Sequence, residues 1–181
     1  MTNAGLFTPR GLGTMVRASL SKDVWMSSLV EKLAKEPVRS VVLEDCVELI
    51  EAQVKQKGFI IKSAYATIKA IKKRFVAETV DSMLDEWLGK LQPHYDKWSA
   101  QQKTSTSTFS DHLIARSDDV AEDLLSVTDG RAARSSHTTA KKMYGRMREG
   151  AKKNVIEAIP ELAKTIEKHL AAAPRQPAAT V

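Results

Sequence analysis

Residues 60 to 75 read IIKSAYATIKAIKKRF, and the spacing of their apolar side chains decides the fold. At about 100° per residue, the apolar and aromatic positions fall within an arc of roughly 140° on a helical projection. The lysines lie opposite, on a stripe about 40° wide, as in an α-helix that buries one face. The apolar positions are Ile60, Ile61, Ala64, Tyr65, Ile68, Ile71 and Phe75, and the lysines are Lys62, Lys69 and Lys73.

The same three- and four-residue spacing continues over most of the chain, and no stretch alternates as a strand does. Asp23 is expected to cap a short first helix, and a second helix is expected to start after Pro37 and end at Gly58. The apolar stripe shifts near residues 74–77, which predicts a break or bend there. The sequence therefore predicts an all-α, single-domain bundle of about seven helices. The other expected boundaries are an end at Pro93, a start at Ser117 or Asp118, an end near Asp129 and Gly130, a basic helix over about 138–153, and a last helix that Pro160 begins or kinks.

Both ends of the chain differ in composition from its middle. The first 22 residues are basic and contain no acid, which is typical of a flexible extension or of an organelle transit peptide. The end of the chain is rich in Ala and Pro, which predicts a disordered tail. QQKTSTST at 101–108 is expected to be a solvated linker. We therefore assign residues 1–24 to the extension, 25–170 to the helical domain and 171–181 to the tail, with halves at 38–93 and 109–170 if the domain is duplicated.

An internal duplication is suggested by a common order of motifs in the two halves. A shift of 79 positions brings Tyr65 onto Tyr144 and Lys69 onto Arg148. With one residue of slippage, the acidic-apolar run at 42–47 also matches the run at 120–125. Because any two amphipathic helices can be aligned at some register, the sequence leaves duplication and coincidence both open.

Four runs of this chain resemble an uncharacterised family of small bacterial helical proteins. The runs are VVLEDCVELIEAQV, AYATIKAIKKRFV, VAEDLLSVTDGRAARS and KKMYGRMREGAKKNVIEAIPEL, and the resemblance covers about residues 26 to 169. It implies the helical fold and the domain boundaries, and it carries no activity that could be transferred to this chain.

The basic charge is concentrated in two segments. The chain holds 28 Lys and Arg against 22 Asp and Glu, a net charge of +6. Residues 52–77 and 130–156 each carry +7, so the rest of the chain carries −8. If both basic helices face one surface, they would attract the phosphates of a nucleic-acid backbone or of an anionic surface. The residues expected to bind such polyanions are Lys62, Lys69, Lys73, Lys141, Lys142, Arg146, Arg148, Lys152 and Lys153.

Other interpretations of the same pattern remain open. Basic helices can lie beside acidic ones inside the bundle, where their charges serve solubility and the choice of neighbours. Wide apolar arcs beside basic stripes are also typical of a module that binds a partner protein or coats an apolar surface, as granule-associated proteins do. A third interpretation, a small-molecule pocket between helices, follows from the architecture alone.

Catalytic and metal-binding motifs are absent from the sequence. The four histidines are scattered without a helical i, i+4 pair, and Cys46 lies on an apolar face, so we expect a core cysteine and neither a metal nor a cofactor. We therefore expect a non-enzymatic protein. No apolar run approaches the roughly 18 residues of a membrane span. The single cysteine favours a cytoplasmic location, or an organelle if residues 1–24 are a transit peptide. The sequence leaves the oligomeric state open.

Overall fold

The computed structural model of the chain describes residues 28–71, 74–102, 106–136 and 138–172. Within these residues there are seven α-helices and no strand, which confirms the expected all-α, single-domain bundle. The helices are α1 (Leu29–Leu33), α2 (Val38–Gln56), α3 (Phe59–Ile71), α4 (Phe75–Gln101), α5 (Phe109–Ile114), α6 (Ser117–Arg134) and α7 (Thr138–Ala172). No helix in this part of the chain combines the length and the apolarity that crossing a membrane requires.

Four long helices, α2, α4, α6 and α7, form a ring. Both α2 and α6 pack against α4 and against α7. Across the ring, the described residues of α4 and α7 make no close backbone approach, nor do those of α2 and α6. The ring therefore has a central space that side chains or other helices must fill.

The two short helices fill one end of this ring. α1 packs against α2, α4 and α7, while α5 packs against α4, α6 and α7. Their side chains Leu29, Leu33, Phe109 and Leu113 are at most 1% exposed and join the main core. Ser28 caps α1 through a capping box with Glu31, and α5 begins with an equivalent box. Burial of these apolar side chains anchors helices that are too short to be stable alone.

Several boundaries agree with the sequence. α2 starts directly after Pro37 and ends before Gly58, as predicted. The expected break between the third and fourth helices is confirmed, because α3 ends at Ile71 and α4 begins at Phe75. Asp23 lies outside the described residues, and the cap of α1 that the structure does describe is Ser28.

Other boundary predictions were wrong, because tertiary packing overrides local signals. Pro93 does not end its helix, which continues to Gln101. Past this proline, His94 is buried, and the rings of Tyr95 and Trp98 pack on Phe109 at centroid distances of 5.3 and 5.4 Å. This burial offsets the roughly 3 kcal/mol that a proline costs inside a helix.

The C-terminal half differs from expectation in the same way. α6 continues past Gly130 to Arg134, and the predicted basic helix and last helix are one 35-residue helix, α7, with Pro160 inside it. Ile159 and Ala163, on either side of this proline, are fully buried, so packing again favours continuity. The linker expected at 101–108 begins at Gln101, which is the last residue of α4. The short helix α5 follows it and begins at Phe109.

Most of each terminal segment lies outside the described residues. The expected extension at 1–24 and residues 173–181 of the expected tail lie outside the described residues, whereas Ala171 and Ala172 still belong to α7.

Candidate functional site

One basic flank of α7 faces the acidic side of α6. Arg148 lies 2.8 Å from a carboxylate oxygen of Asp129 and 2.7 Å from one of Glu122. Lys152 lies 2.9 Å from both Asp118 and Glu122. Hydrogen bonds from Lys152 and then Arg148 lower the pKa of Glu122, and the bond from Arg148 lowers that of Asp129. Within the described residues, these two cations are therefore compensated by carboxylates of the same protein.

The remaining residues expected to bind polyanions have mixed surroundings. Lys69 lies 2.6 Å from Glu51 of α2, and Lys153 lies 3.5 Å from Glu149 of its own helix. Lys73 lies outside the described residues. Within the described part of the chain, α3 and α7 do not pack against each other. The ion pairs of Lys69 and Lys153 therefore do not link the two basic helices. Among the residues expected to bind polyanions, four are exposed and have no ion pair to another described residue: Lys62, Lys141, Lys142 and Arg146.

An apolar cavity of about 430 Å³ occupies the part of the helix ring that α1 and α5 leave unfilled. It begins at Leu33 of α1 and is walled by α2, α4, α6 and α7, with Ile61 of α3 at one side. Leucine, isoleucine and valine side chains form most of the wall. Trp87 contributes its ring and is held in place because its indole N–H donates to the carbonyl of Leu124 at 3.2 Å.

Small side chains on two neighbouring helices line the cavity. α2 and α7 each present an apolar stripe to the cavity, at helical three- and four-residue spacing. Cys46 interrupts the stripe of α2, and Ala158 interrupts that of α7. A leucine or phenylalanine at either position would extend into the space. The cavity is therefore a consequence of local sequence on two helices that are distant along the chain.

Ion pairs hold α2 and α7 together at both ends of the cavity. At one end, an Asp45 carboxylate oxygen lies 2.8 Å from Nε2 of His169 and 2.6 Å from Nζ of Lys168. The hydrogen bond from Lys168, with that from His169, lowers the pKa of Asp45. At the other end, Lys57 pairs with Glu157. His169 and Lys57 are the cavity-lining residues able to carry positive charge, and both already have a carboxylate partner.

Cys46 is a wall residue rather than a nucleophile. Burial raises the pKa of its thiol to about 11, and the negative charge of Asp45 acts in the same direction. The thiol is therefore protonated at neutral pH, and a protonated thiol is a weak nucleophile. The sequence placed Cys46 on an apolar face but did not identify the cavity, because that requires knowing which stripes face each other. No group of three or more potential metal-ligating side chains occurs among the residues the structure describes.

Comparison with known proteins gives a family but no activity. No curated protein and no solved structure shows significant similarity to the chain. The model of a family of unknown function, DUF6918, matches residues 29–170, which span the described bundle from α1 into the last turn of α7. The resemblance to an uncharacterised family, predicted for residues 26 to 169, is thereby confirmed. The chain thus belongs to DUF6918, a family of unknown function.

Proposed function

We propose that the protein binds a small apolar molecule in the cavity between α2, α4, α6 and α7. The observation that carries this proposal is the cavity itself. Its volume of about 430 Å³ lies within the range of roughly 300–1,000 Å³ in which ligand pockets fall. Its wall is predominantly apolar, with a few polar groups, which is the composition of pockets that bind small organic molecules.

The composition of the wall favours an apolar occupant over water. Water fills apolar cavities poorly because it needs polar partners. Removing apolar surface from water contributes about 25 cal/mol per Å², so an apolar ligand is the better occupant.

The charges in the wall define the chemical class of the ligand. Because Lys57 and His169 already pair with Glu157 and Asp45, an anionic group of a ligand would have to displace a carboxylate to reach either of them. The remaining polar wall residues include Gln53 and Thr128, which carry no charge. We therefore propose a neutral, mainly apolar ligand whose polar atoms are limited to hydroxyl, carbonyl or amide groups.

A fluorescent apolar compound tests this function. N-phenylnaphthylamine should bind the wild-type chain with saturable, blue-shifted fluorescence. Ala158→Phe, which fills the cavity from α7, should weaken binding at least roughly tenfold by excluding the compound. Cys46→Leu fills it from α2 and should act in the same direction. Ala133→Phe is the control, because Ala133 is exposed on α6 and does not line the cavity. Equal binding by the wild type and both filled variants, with native circular dichroism, would reject the proposal.

Polyanion binding is a second candidate function, and fewer residues support it than the sequence predicted. It is favoured by Lys141, Lys142 and Arg146, which are exposed on α7 without an ion pair to a described residue. Their joint change to alanine should lower affinity for nonspecific DNA and reduce the salt dependence by about 0.9 in slope for each phosphate that the variant no longer neutralises. An unchanged slope would exclude this surface. A cytoplasmic location, expected from the single cysteine, belongs to the same group of proposals.

We also propose that the two halves are a duplication. Tyr65 and Lys69 of α3 contact the same carboxylate of α2, and the residues aligned with them by the shift of 79 positions repeat this arrangement on the next pair of helices. Superposition of an experimentally determined first half on the second should align these contacts within one helical turn.

A further inference from the structure

We propose that α3 docks the protein on the surface of an anionic lipid bilayer. The proposal rests on the exposure and charge of α3 and does not depend on a ligand in the cavity.

α3 is an apolar helix with little cover. Its sequence, FIIKSAYATIKAI, contains only two charged residues, Lys62 and Lys69. In the described part of the chain it packs against α2 and α4 alone. Phe59 is 84% exposed, and Ile61 is 40% exposed. Phe59 is therefore a large apolar side chain that the rest of the described protein leaves uncovered.

The outward face of α3 combines one exposed phenylalanine with small side chains, and the exposed residues Lys62 and Thr67 lie at its two sides. Phe59, Ser63, Ala66 and Ala70 are all exposed. At about 100° per residue they fall within an arc of roughly 60°. Lys62 is exposed at the edge of this arc. An exposed aromatic side chain beside an exposed lysine is one element of a helix that lies in an anionic membrane interface.

Charge complementarity selects an anionic lipid surface over a second copy of the chain. Residues 52–77 contain seven basic residues and no acid. Lys55 and Lys62, from this segment, are exposed and line one groove beside α3. A symmetric dimer through α3 would bring two such segments together and would be opposed by like-charge repulsion. On an anionic bilayer, each cation near the surface strengthens binding by about fivefold.

Vesicle flotation of the full chain tests the docking. The chain should float with vesicles of equal parts phosphatidylcholine and phosphatidylglycerol and should remain behind with phosphatidylcholine alone. Phe59→Ser should reduce the bound-to-free ratio by roughly tenfold, because it removes an apolar anchor. Lys62→Glu should reduce it by a similar factor, since it replaces an attraction by a repulsion. Met147→Ser is the matched control; Met147 is 65% exposed but lies on α7, so binding should not change.

Other outcomes would overturn the proposal. Equal flotation with both kinds of vesicle, none with either, or an equal loss in the Met147→Ser variant would exclude α3 as an anionic-membrane surface. Light scattering that shows a wild-type dimer and a Phe59→Ser monomer would assign the face to self-association. Duplex DNA that competes fully with vesicles while Phe59→Ser binds both as the wild type does would assign the charge to nucleic acid. N-phenylnaphthylamine binding, measured without vesicles, separates a failure of docking from a failure of the ligand site.

Discussion

Tyr144 donates its phenolic hydrogen to Asp129, with the two oxygens 2.5 Å apart. Arg148, one turn later on α7, donates to the same carboxylate oxygen of Asp129 at 2.8 Å. A tyrosine and a cation four residues apart thus fasten the N-terminal half of α7 to α6 through one carboxylate.

The first half of the chain repeats this arrangement. The Tyr65 hydroxyl lies 3.4 Å from a carboxylate oxygen of Glu51, and Nζ of Lys69 lies 2.6 Å from the same atom. The shift of 79 positions that relates the two tyrosines also relates the two cations. The two carboxylates follow with the one-residue slippage expected from the sequence.

We predict that Tyr144 titrates near pH 12. Burial, followed by the hydrogen bond to Asp129, raises its pKa from 10.0 to about 12. The stability that this shift contributes is fully present below pH 10, the pKa of the unfolded state, and is lost as the pH rises from 10 through 12. Ultraviolet titration of tyrosinate should show one late component that is absent from Tyr144→Phe. A Tyr144→Phe variant that keeps the late component and loses one near pH 10 would contradict the assignment.

Asp129 and Glu51, which each accept hydrogen bonds from a tyrosine and a cation, should contribute to stability in the same way. Asp129→Asn and Glu51→Gln should each destabilise the chain, by about 1–2 kcal/mol, because each weakens charge-assisted hydrogen bonds at a partly exposed site. Arg148 and Lys69, respectively, lower the pKa values of these carboxyls. Their contribution is therefore present above the unfolded pKa values, 3.8 and 4.5, and is lost as the pH falls through the lower folded values.

Urea unfolding between pH 7 and pH 3 measures this dependence. The difference between each variant and the wild type should shrink as the pH falls. Glu44→Gln is the control, because Glu44 is exposed in the interior of α2 and its change should leave the stability nearly unchanged. A difference that stays constant down to pH 3 would show that packing rather than charge accounts for the loss.

Cys46 should report on occupancy of the cavity. Because its pKa is about 11, its alkylation rate should rise about tenfold per pH unit up to about pH 11. A saturating apolar ligand should slow the reaction, since the thiol lines the cavity. The comparison is a Cys46→Ser, Ala133→Cys variant, whose exposed thiol should react faster and gain no protection. Equal protection at both positions would mean that the ligand acts on the reagent or on the whole fold.

The helical period of the sequence was sufficient to predict the fold. The stripe of residues 60–75 predicted α3, and its shift near residues 74–77 predicted the break between α3 and α4. Pro93 was expected to end its helix, but it lies within α4, whose later turns are buried. Pro160 lies within α7 and does not begin a separate last helix. A local signal of about 3 kcal/mol cannot be weighed against tertiary burial until the partner is known.

The candidate site was largely beyond prediction. Cys46 and Ala158 are ordinary small residues until α2 and α7 are seen to pack side by side against the same cavity. The sequence shows where the charges lie along the chain, but it does not show which charges face each other in the fold. Arg148 and Lys152 pair with carboxylates of α6. These two residues therefore fit the interpretation in which basic helices lie beside acidic ones.

Crystals grown with a brominated alkane test the apolar site most directly. We predict an anomalous bromine peak inside the helix ring, between Trp87 of α4 and Leu162 of α7, and no peak in crystals of Ala158→Phe. A wild-type crystal structure in which the side chains of α2 and α7 close the space, or in which bromine is found only on the outer surface, would contradict an apolar-ligand function.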